Sequence, residues 1–451
     1  MAPSPARWFH FDEHGTSYRQ EITGGVTTFV TMAYIVVVNP AILANAGIPT
    51  GPSTLATILT AALGTILMGL AANRPIAVAP YMGENAFIAF GMATLGIGWQ
   101  LRIGAVFVSG AIFLLIALSG LFRWLADSIS PSMKRAFAVG IGLFLSFIGL
   151  VETGIVRRGE AVPVEIGDLS SGPVLLSLAG LVIIAVLMAR RVRGSILVGM
   201  AIVAATGMLL GYAEPPSGVV AWPQFTGPGG LTEVAGQLRF SETLPDGRTV
   251  SLFSVTLLPV LLTLFLMDFL DTLGTLVGLG AAGNMLDERG NFPEIGKPMT
   301  VGAVSCMGSA LLGTSTAGAY IESAAGIKDG ARTGFSALVT GLLFLVTLFF
   351  VPLASALAGL RFAYGPALVI VGALMIGPAR GIDFDDLTEL IPAFLTILMM
   401  VFTYNIANGL TAGLAVYPFL KVLTGRWREL NAGMLVLSGL CLAYFVFGLV
   451  H

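Results

Sequence analysis

Long apolar stretches, separated by short polar breaks, recur along the chain from residue 24 to residue 449. An α-helix needs about 20 apolar residues to cross the hydrocarbon core of a bilayer, so each stretch near that length predicts a membrane-spanning helix. By this criterion the spans lie at 24–44, 54–72, 101–121, 133–151, 172–190, 195–212, 252–280, 297–313, 333–353, 363–379, 387–404, 405–422 and 430–449. The pattern therefore predicts an all-α polytopic membrane protein.

Two further apolar pieces, 75–95 and 311–330, do not follow this pattern. Each begins with a stretch rich in Pro, Gly, Ser or Thr, PIAVAPYMGEN in the first and LLGTSTAGAYIES in the second. Such residues favour irregular or extended backbone. We therefore predict two broken segments that are strand-like at first and turn helical at a polar residue, Asn85 and Glu322 respectively.

The apolar segments divide into two similar sets. The longest polar break, residues 213–251, leaves about seven segments on each side, and a broken segment is third in each set. Asn85 and Glu322 are 237 residues apart, and the next spans, 101–121 and 333–353, begin 232 residues apart. Because seven is odd, the second copy enters the membrane in the opposite orientation to the first. This is the inverted-repeat architecture of secondary transporters, in which the binding site lies where broken helices meet. The alternative is that two loops have a similar composition by coincidence.

The chain is therefore predicted to consist of four parts. They are an N-terminal tail (1–23), a first repeat (24–212), a connection outside the membrane (213–251) and a second repeat with the C-terminus (252–451).

The basic residues indicate how the chain is oriented. Under the positive-inside rule, loops rich in Lys and Arg lie in the cytoplasm. Most basic residues, including those at 190–193 and 328–332, then share one side with the N-terminal tail, whereas those at 157–158 fall on the other. We therefore predict a multi-pass protein of the cell membrane with a cytoplasmic N-terminus. If residues 387–422 form a hairpin of two spans, the segment 430–449 either crosses alone or lies partly in the interface.

Composition excludes several classes of protein. Of the 451 residues, 56% are hydrophobic and only 11% are charged, which is too few charges to cover a soluble globule. The formal net charge of −2 gives no field that would draw the chain to nucleic acid. The three histidines lie in the terminal tails, and Cys306 and Cys441 lie in apolar stretches without the spacing of a metal site. We expect no metal, no cofactor and no nucleic-acid partner, and we interpret both cysteines as small buried hydrophobic residues.

Charged side chains inside membrane spans are costly, so each one is a candidate for function. Asp268 and Asp271 lie three residues apart within one apolar helix, which places both carboxyl groups on the same helix face. Two carboxylates this close in an apolar environment resist being ionised together, which is a property that a proton-coupled carrier needs. The alternative is that Asp268 and Asp271 pack between helices, satisfied by backbone donors or by Thr272 and Thr275. The full set of candidate acids inside apolar segments is Glu84, Asp268, Asp271 and Glu322.

Glu322 follows an extended stretch that contains Thr314, Ser315, Thr316 and Gly318. Backbone amides freed in such a stretch, and the positive end of the helix that follows, can serve a ligand. Glu322 itself either accepts N–H groups from a ligand or caps that helix. One planar molecule with several N–H donors would bridge Asp268 and Glu322.

The first broken segment offers Asn85, whose amide both donates and accepts, with Glu84 beside it. Asn85 either contacts a ligand or supports a neighbouring carboxylate. Adjacent helical residues point in different directions, so Glu84 faces either the site or a polar loop. Aromatic residues at the two broken segments either stack on a flat ring or serve ordinary packing. They are Tyr81, Phe87 and Tyr320.

Several long motifs resemble the AzgA-like purine permeases of the nucleobase/ascorbate transporter family. They are GGVTTFVTMAYIVVVNPAIL (24–43), APYMGENAFIAF (79–90), FLMDFLDTLGTLVG (265–278), GTSTAGAYIESAAGIKDGARTG (313–334) and IPAFLTILMMVFTYNIANGL (391–410). The resemblance implies about 14 transmembrane segments as two inverted repeats of seven, with short antiparallel strands in segments 3 and 10. It also implies a core domain of segments 1–4 and 8–11 that binds substrate, and a gate domain of segments 5–7 and 12–14.

By the same resemblance, the chain is a proton-coupled symporter, not an enzyme, for purine nucleobases such as hypoxanthine, guanine and adenine. It works by an elevator-like mechanism and forms a homodimer through the gate domain. The family's acidic positions in segments 8 and 10 fall on Asp268 and Glu322, and its polar position in segment 3 falls on Asn85. We expect the substrate to contact Asp268, Glu322, Asn85, Phe87, Thr316 and Tyr320, and the proton to be carried by Asp268, Asp271 or Glu322.

The motif APYMGEN departs from the more usual APGMGLN, because Tyr81 and Glu84 stand where Gly and Leu are common. Three alternatives remain open: a carrier of another planar heterocycle, an anion transporter on the same plan, and an aspartyl-type hydrolase. The acids in the spans disfavour an anion. The position of Asp268 and Asp271 on a single helix disfavours a hydrolase, because a catalytic dyad needs carboxyl groups that converge from two elements.

Overall fold

The computed structural model describes residues 5–447, except 217, 245–246, 255–256, 284, 286–291 and 293. Helices before the long connection are α1 (Pro5–Trp8), α2 (Tyr18–Met32), α3 (Ile35–Ala44), α4 (Thr50–Leu67), α5 (Met82–Ala86), α6 (Trp99–Ser119), α7 (Phe122–Ser128), α8 (Pro131–Glu152), α9 (Gly172–Ala189) and α10 (Ser195–Leu209). Helices after it are α11 (Leu258–Ala282), α12 (Gly296–Leu312), α13 (Ser323–Lys328), α14 (Gly334–Thr347), α15 (Val351–Ala358), α16 (Arg361–Leu374), α17 (Leu387–Phe402), α18 (Ile406–Leu423) and α19 (Ala432–Phe447). The strands are β1 (Val78–Pro80), β2 (Val156–Arg158), β3 (Val164–Ile166), β4 (Ser241–Thr243), β5 (Thr249–Ser251) and β6 (Ala317–Ala319).

Within the described residues, nine helices are long and apolar enough to cross a membrane. The predicted polytopic helical fold is therefore confirmed, although several boundaries differ. The predicted span 24–44 begins earlier, at Tyr18, and is divided into α2 and α3. The predicted span 252–280 begins later, at Leu258, because Thr249–Ser251 pairs in a hairpin of the long connection. The predicted segment 430–449 corresponds to α19, and residues 448–449 lie outside the described residues.

Helix starts are fixed by side chains that accept the free backbone N–H groups of the first turn. Ser130, Thr333, Asp386 and Asn405 each accept from a backbone N–H one turn into α8, α14, α17 and α18. The buried carboxylate of Glu21 in α2 also accepts backbone N–H groups at the start of α14. These contacts set where each helix begins and tie α2 to α14.

The two broken segments meet through a two-stranded antiparallel sheet. Val78 pairs with Ala319, Ala79 with Gly318, and Pro80 with Ala317. The prediction of short strands in both broken segments is therefore confirmed. Because both strands are buried and each leads into a short helix, the sheet brings α5 and α13 to one place in the interior. Two other hairpins, β2–β3 and β4–β5, lie in connections between helices.

The helices pack in two groups. The first helix group contains α2–α6 and α11–α15, in which α2 and α4 pack against α14, and α6 packs against α11 and α12. The second helix group contains α8–α10 and α16–α18, in which α8 packs against α16 and α17, and α9 against α10 and α16. Contacts between the groups include α5 with α8 and α11 with α18.

The ends of several helices show which loops share a side. Arg193, between α9 and α10, pairs with Asp329 after α13, and Asn73 donates to Phe9 in the N-terminal segment. Arg426, after α18, pairs with Asp386, before α17, so both outer ends of this helix pair lie together. The predicted hairpin within 387–422 is thus confirmed.

Candidate functional site

The β1–β6 sheet is held by side chains as well as by strand pairing. The hydroxyl of Thr65 accepts from the Val78 N–H at 2.9 Å and lies 3.0 Å from the Val78 carbonyl oxygen. The Ser323 hydroxyl accepts from the Ala77 N–H at 3.0 Å. Because these bonds satisfy buried backbone groups, extended backbone is tolerated between helices inside an apolar protein. The polar residues that follow each strand are thereby fixed in the interior.

Asp268, in the middle of α11, is 1% exposed and beside α6 and α12. Its Oδ2 is 3.4 Å from the Ser109 hydroxyl and 3.3 Å from the Cys306 thiol, both of which donate to it. Its Oδ1 is buried and has no hydrogen-bond partner among the described residues. One oxygen is therefore anchored, and the other is available to a ligand or a proton.

Glu322 immediately precedes α13, yet its side chain makes no capping hydrogen bond to that helix. Its Oε1 instead accepts from the hydroxyl of Tyr34, at the junction of α2 and α3, at 2.5 Å. The capping interpretation of Glu322 is therefore wrong, because the carboxyl group points to another helix. A phenol donor holds this carboxyl group as Ser109 and Cys306 hold that of Asp268.

Asn85, in α5, is completely buried. Its Oδ1 accepts from the hydroxyl of Ser315, just before β6, so the amide joins the two broken segments. Its Nδ2 is buried without a hydrogen-bond partner among the described residues, and so is the hydroxyl of Thr316. Asn85 thus offers a donor, whereas Asp268 offers an acceptor.

The aromatic residues at the broken segments contact each other. The rings of Tyr81 and Tyr320 are stacked with centroids 6.2 Å apart. The Tyr320 hydroxyl donates to the Pro80 carbonyl at 2.7 Å, and the Tyr81 and Thr272 hydroxyls are 3.0 Å apart. Phe87 is 1% exposed and lies in the turn after α5. In this conformation Tyr81 and Tyr320 join β1, β6 and α11, and Phe87 is packed in the interior.

Asp271 is less buried than Asp268 and lines a cavity of about 40 Å³ between the two helix groups. A cavity of this size has room for water and is bordered by polar groups of both helix groups. Its other lining residues are Lys134, Phe137, Ala138, Ile141, Met267, Leu270, Met400, Ile406 and Leu410. Asp271 is therefore the acid at the boundary between the groups.

Glu84 is completely buried, and neither carboxyl oxygen has a hydrogen-bond partner among the described residues. The alternative that it faces a polar loop is therefore wrong. The short helix α5 packs between α3, α8 and α11, so every direction from Glu84 leads into protein.

Four polar residues of the site were not among the predicted ligands: Tyr34, Ser109, Cys306 and Ser315. Cys306, interpreted as a buried hydrophobic residue, is buried but also donates to Asp268. The signal that would have found Ser315 is its place in the stretch before Glu322. For the other three, each surrounded by apolar residues in its own helix, only the fold identifies the partner.

The site as a whole is rich in hydrogen-bond acceptors. Its carboxyl groups are those of Glu84, Asp268, Asp271 and Glu322, and Lys134 borders the cavity beside Asp271. The described residues contain no group of His, Cys, Asp and Glu arranged to hold a metal ion. Such a site suits a neutral, planar molecule with several N–H donors, because each N–H satisfies a carboxyl oxygen that burial leaves unpaired.

Comparison with known proteins gives consistent matches over almost the whole chain. The family Xan_ur_permease, described as a permease family, matches residues 19–412. The guanine/hypoxanthine permease PbuG of Bacillus subtilis (strain 168) is 41% identical over 98% of this chain and 99% of its own length. The adenine permease AdeQ of Escherichia coli (strain K12) is 37% identical over 96% of this chain and 94% of its own length.

A solved structure supports the fold independently. The transmembrane domain of a cyanobacterium bicarbonate transporter, BicA, superimposes with a TM-score of 0.63. The alignment covers 86% of this chain and 97% of that domain, at 17% sequence identity. This likeness concerns the arrangement of helices and not the ligand.

Proposed function

This chain belongs to the permease family Xan_ur_permease, and on that premise we propose that it carries purine nucleobases across the cell membrane. Hypoxanthine, guanine and adenine are the bases in question. The family and the apolar helices make the chain a multi-pass membrane protein and a transporter, not an enzyme. The names of its relatives support purines as the substrate class.

One observation carries the proposal for the site: two buried, unpaired atoms of opposite character lie on the residues around the strand pair. Asp268 Oδ1 is a free hydrogen-bond acceptor, and Asn85 Nδ2 is a free donor, among the described residues. A purine presents ring N–H donors and ring-nitrogen or carbonyl acceptors in one plane, so it would satisfy both atoms. Glu322, held by Tyr34, would accept a further N–H of the base. Thr316, Phe87 and Tyr320 would complete the pocket once the stacked rings part.

The coupling ion in this proposal is a proton. Asp268, Asp271 and Glu322 are the acids that would carry it, and no cofactor is needed. Asp271 borders the cavity between the groups, so it is the one that water would reach first. A proton on Asp268 or Asp271 would reduce the repulsion between them and allow the substrate site to close.

The proposed mechanism is an elevator. The first helix group corresponds to the core domain (segments 1–4 and 8–11), and the second to the gate domain (segments 5–7 and 12–14). Two sets of seven segments result when α2–α3 and α14–α15 each count as one segment and β1–α5 and β6–α13 as the broken ones. The short helices α1 and α7, the hairpins of the connections and α19 are left out of this count. The same order of segments in both sets supports the inverted repeat. The proposal also includes a homodimer through the gate domain and a cytoplasmic N-terminus.

Uptake of labelled bases tests the function directly. We expect cells lacking their own carriers to accumulate hypoxanthine, guanine or adenine when they express this chain, and a protonophore to abolish the accumulation. Uracil added in excess should compete poorly. No uptake of any purine by protein that is present at the membrane would contradict the proposal. Uptake that persists with the protonophore would retain the substrate class and exclude proton coupling.

Transport of another planar heterocycle or of an anion is the alternative function. The fold is shared with a bicarbonate transporter, but the carboxyl groups of Glu84 and Asp268 are buried near the strand pair. These groups would repel an anion, so we favour a neutral base.

A further inference from the structure

Glu84 is a buried acid that the proposed substrate and proton sites do not use. It is 0% exposed, and both of its carboxyl oxygens lack hydrogen-bond partners within the described part of the chain. It lies in the short helix α5, one residue before Asn85.

The groups that face Glu84 are mostly acids. Asp268 and Asp271 of α11 are close enough to interact with it electrostatically, as are the phenols of Tyr81 and Tyr320 and the thiol of Cys306. On the side of α8, Ile141 packs against the neighbouring glycine of α5. Lys134 of α8 borders the cavity beside Asp271. The helix α3, which also packs on α5, has no charged residue.

Burial of an ionised carboxylate is unfavourable without donors or a counter-ion, and nearby carboxylates make it more so. A neutral carboxyl group avoids both costs. We propose that Glu84 holds a proton in this conformation and is an additional proton-binding residue of the transport cycle. It releases the proton, as COOH to COO⁻ and H⁺, when opening of the boundary between the helix groups admits water.

This inference rests on the proposed function, because a proton-binding residue matters only in a proton-coupled carrier. A carrier with Glu84 has one more group that titrates during the cycle.

Infrared difference spectroscopy on the purified full chain tests the proton on Glu84 without any transport. The probe is the C=O stretching band of a protonated carboxyl group, compared between wild type, Glu84→Gln and Glu84→Leu at neutral pH. Glutamine keeps the shape of the side chain, and leucine replaces it with an apolar side chain that cannot bind a proton. We expect the band to lose intensity in both variants and not in the control Glu160→Gln, which removes an exposed acid. Equal spectra for wild type and both Glu84 variants would overturn the proposal.

Proteoliposomes test the role in the cycle. Proton entry, from a pH-sensitive dye, and labelled hypoxanthine uptake are measured together over a range of external pH. We expect fewer protons per base, and a less steep pH dependence of the initial rate, in Glu84→Gln and Glu84→Leu. An unchanged number of protons per base together with an unchanged pH profile would overturn the proposal. An altered ranking of competing bases at an unchanged number of protons per base would also overturn it, because this result indicates that Glu84 contacts the substrate.

The two experiments separate this inference from the proposed function. Wild-type protein that moves no purine contradicts the proposed function, while the infrared band still reports on Glu84. Wild-type protein that moves purine with protons, together with Glu84 variants that behave like it, contradicts only the inference.

Discussion

At the scale of single residues, Asp268 has two chemically different oxygens. Oδ2 accepts from Ser109 and Cys306, which lie on two other helices, whereas Oδ1 has no partner in the described residues. The donors fix the orientation of the carboxyl group, so the unpaired oxygen faces a defined direction. A carboxyl group held in this way binds a ligand without first paying to order its side chain.

Substitution of Asp268 by Asn tests whether this carboxyl group binds base and proton. We expect Asp268→Asn to lower protonophore-sensitive uptake of labelled hypoxanthine by about 10- to 100-fold, since a hydrogen bond to a charged group contributes roughly 1.5–3 kcal/mol. The amount of protein at the membrane should stay near wild type. The exposed carboxyl of Asp168 provides a control, Asp168→Asn. Wild-type uptake with the same pH dependence in Asp268→Asn would contradict the assignment.

The thiol of Cys306 is expected to position Asp268. Cys306→Ala removes a donor, and we expect a loss of about 1 kcal/mol, or roughly fivefold in hypoxanthine uptake. Cys306→Ser restores a donor of similar size and should recover most of the activity. Cys441→Ala is the matched control, since Cys441 is the other buried cysteine. Equal loss in the Ala and Ser variants would show that the thiol serves packing alone.

Sequence reasoning nominated Asp268, Glu322 and Asn85 because a strongly polar side chain in an apolar span is conspicuous. It did not find Tyr34 or Cys306 as partners. A tyrosine or cysteine in an apolar helix looks the same whether it packs or donates a hydrogen bond. The distinction depends on which helix lies opposite, which is a property of the fold.

At the scale of elements, the strand pair depends on a residue without a side chain. A Cβ at Gly318 in β6 would lie 2.3 Å from the hydroxyl oxygen of Tyr81 and 2.6 Å from its Cζ, so the ring would have to move. Tyr81 also contacts Thr272 of α11 through its hydroxyl. The glycine therefore allows β1, β6 and α11 to approach closely.

We expect Gly318→Ala to reduce hypoxanthine uptake by about 5- to 100-fold, because overpacking of a tight interior costs roughly 1–3 kcal/mol. The melting temperature of the purified protein should fall as well. Gly308→Ala is the matched control, since a Cβ there has no heavy atom within 4 Å and lies in α12. If Gly318→Ala behaves like Gly308→Ala in both assays, the close approach of Tyr81 is not required.

An ion cluster joins the outer ends of α17 and α18. The buried ammonium of Lys421 lies 2.8 Å from Glu429, 3.0 Å from Glu389 and 3.6 Å from Asp386. Arg426 lies 2.6 Å from Asp386 and 2.5 Å from Glu429. Hydrogen bonds from Arg426 and Lys421 hold the pKa of Glu429 below its usual value. Burial raises the pKa of Asp386, but hydrogen bonds to the Thr388 hydroxyl and backbone N–H and to Arg426 outweigh this and lower it.

A carboxyl group whose pKa is lowered in the folded state stabilises the protein at pH values above its ordinary pKa, which is about 4. This contribution is lost as the pH falls below that value. We expect the melting temperature of the purified protein to decrease on acidification below about pH 4. The decrease should be smaller in Arg426→Gln, which lacks the cation. Exposed Arg428→Gln serves as control. Parallel pH profiles for wild type and Arg426→Gln would contradict this account.

The elements themselves were largely predictable, with exceptions that have physical causes. Hydrophobic length located the long helices, and the Pro- and Gly-rich composition of PIAVAP and GTSTAGAY indicated extended backbone. The division of the first span into α2 and α3 was not predicted, because Ala33 and Tyr34 at the division are neither charged nor Gly or Pro. The start of α11 at Leu258 depends on the β4–β5 hairpin, and short strands of polar residues give little signal in a sequence.

At the scale of the whole molecule, the polar contacts between the two helix groups include an ion pair. Arg193, in the turn between α9 and α10, places its Nη2 2.6 Å from Asp329 Oδ2 after α13. The same oxygen accepts from the hydroxyl of Thr27 in α2 at 2.6 Å. Thr27 and Asp329 both belong to the first helix group, and Arg193 belongs to the second. An elevator movement of the proposed core domain along the gate domain would separate Arg193 from Asp329.

The ion pair therefore stabilises this conformation relative to one in which the groups have moved. Arg193 is largely exposed, so the ion pair contributes the small free energy that is usual at a protein surface. We therefore expect Arg193→Gln and Asp329→Asn each to change the exchange rate of labelled hypoxanthine in proteoliposomes by no more than about fivefold. The changes should have the same direction, and the double variant should match a single one, because the same interaction is lost. Arg190→Gln, an exposed cation at the same turn, is the control. Effects that add in the double variant, or that Arg190→Gln reproduces, would mean that the Arg193–Asp329 pair does not link the two helix groups during transport.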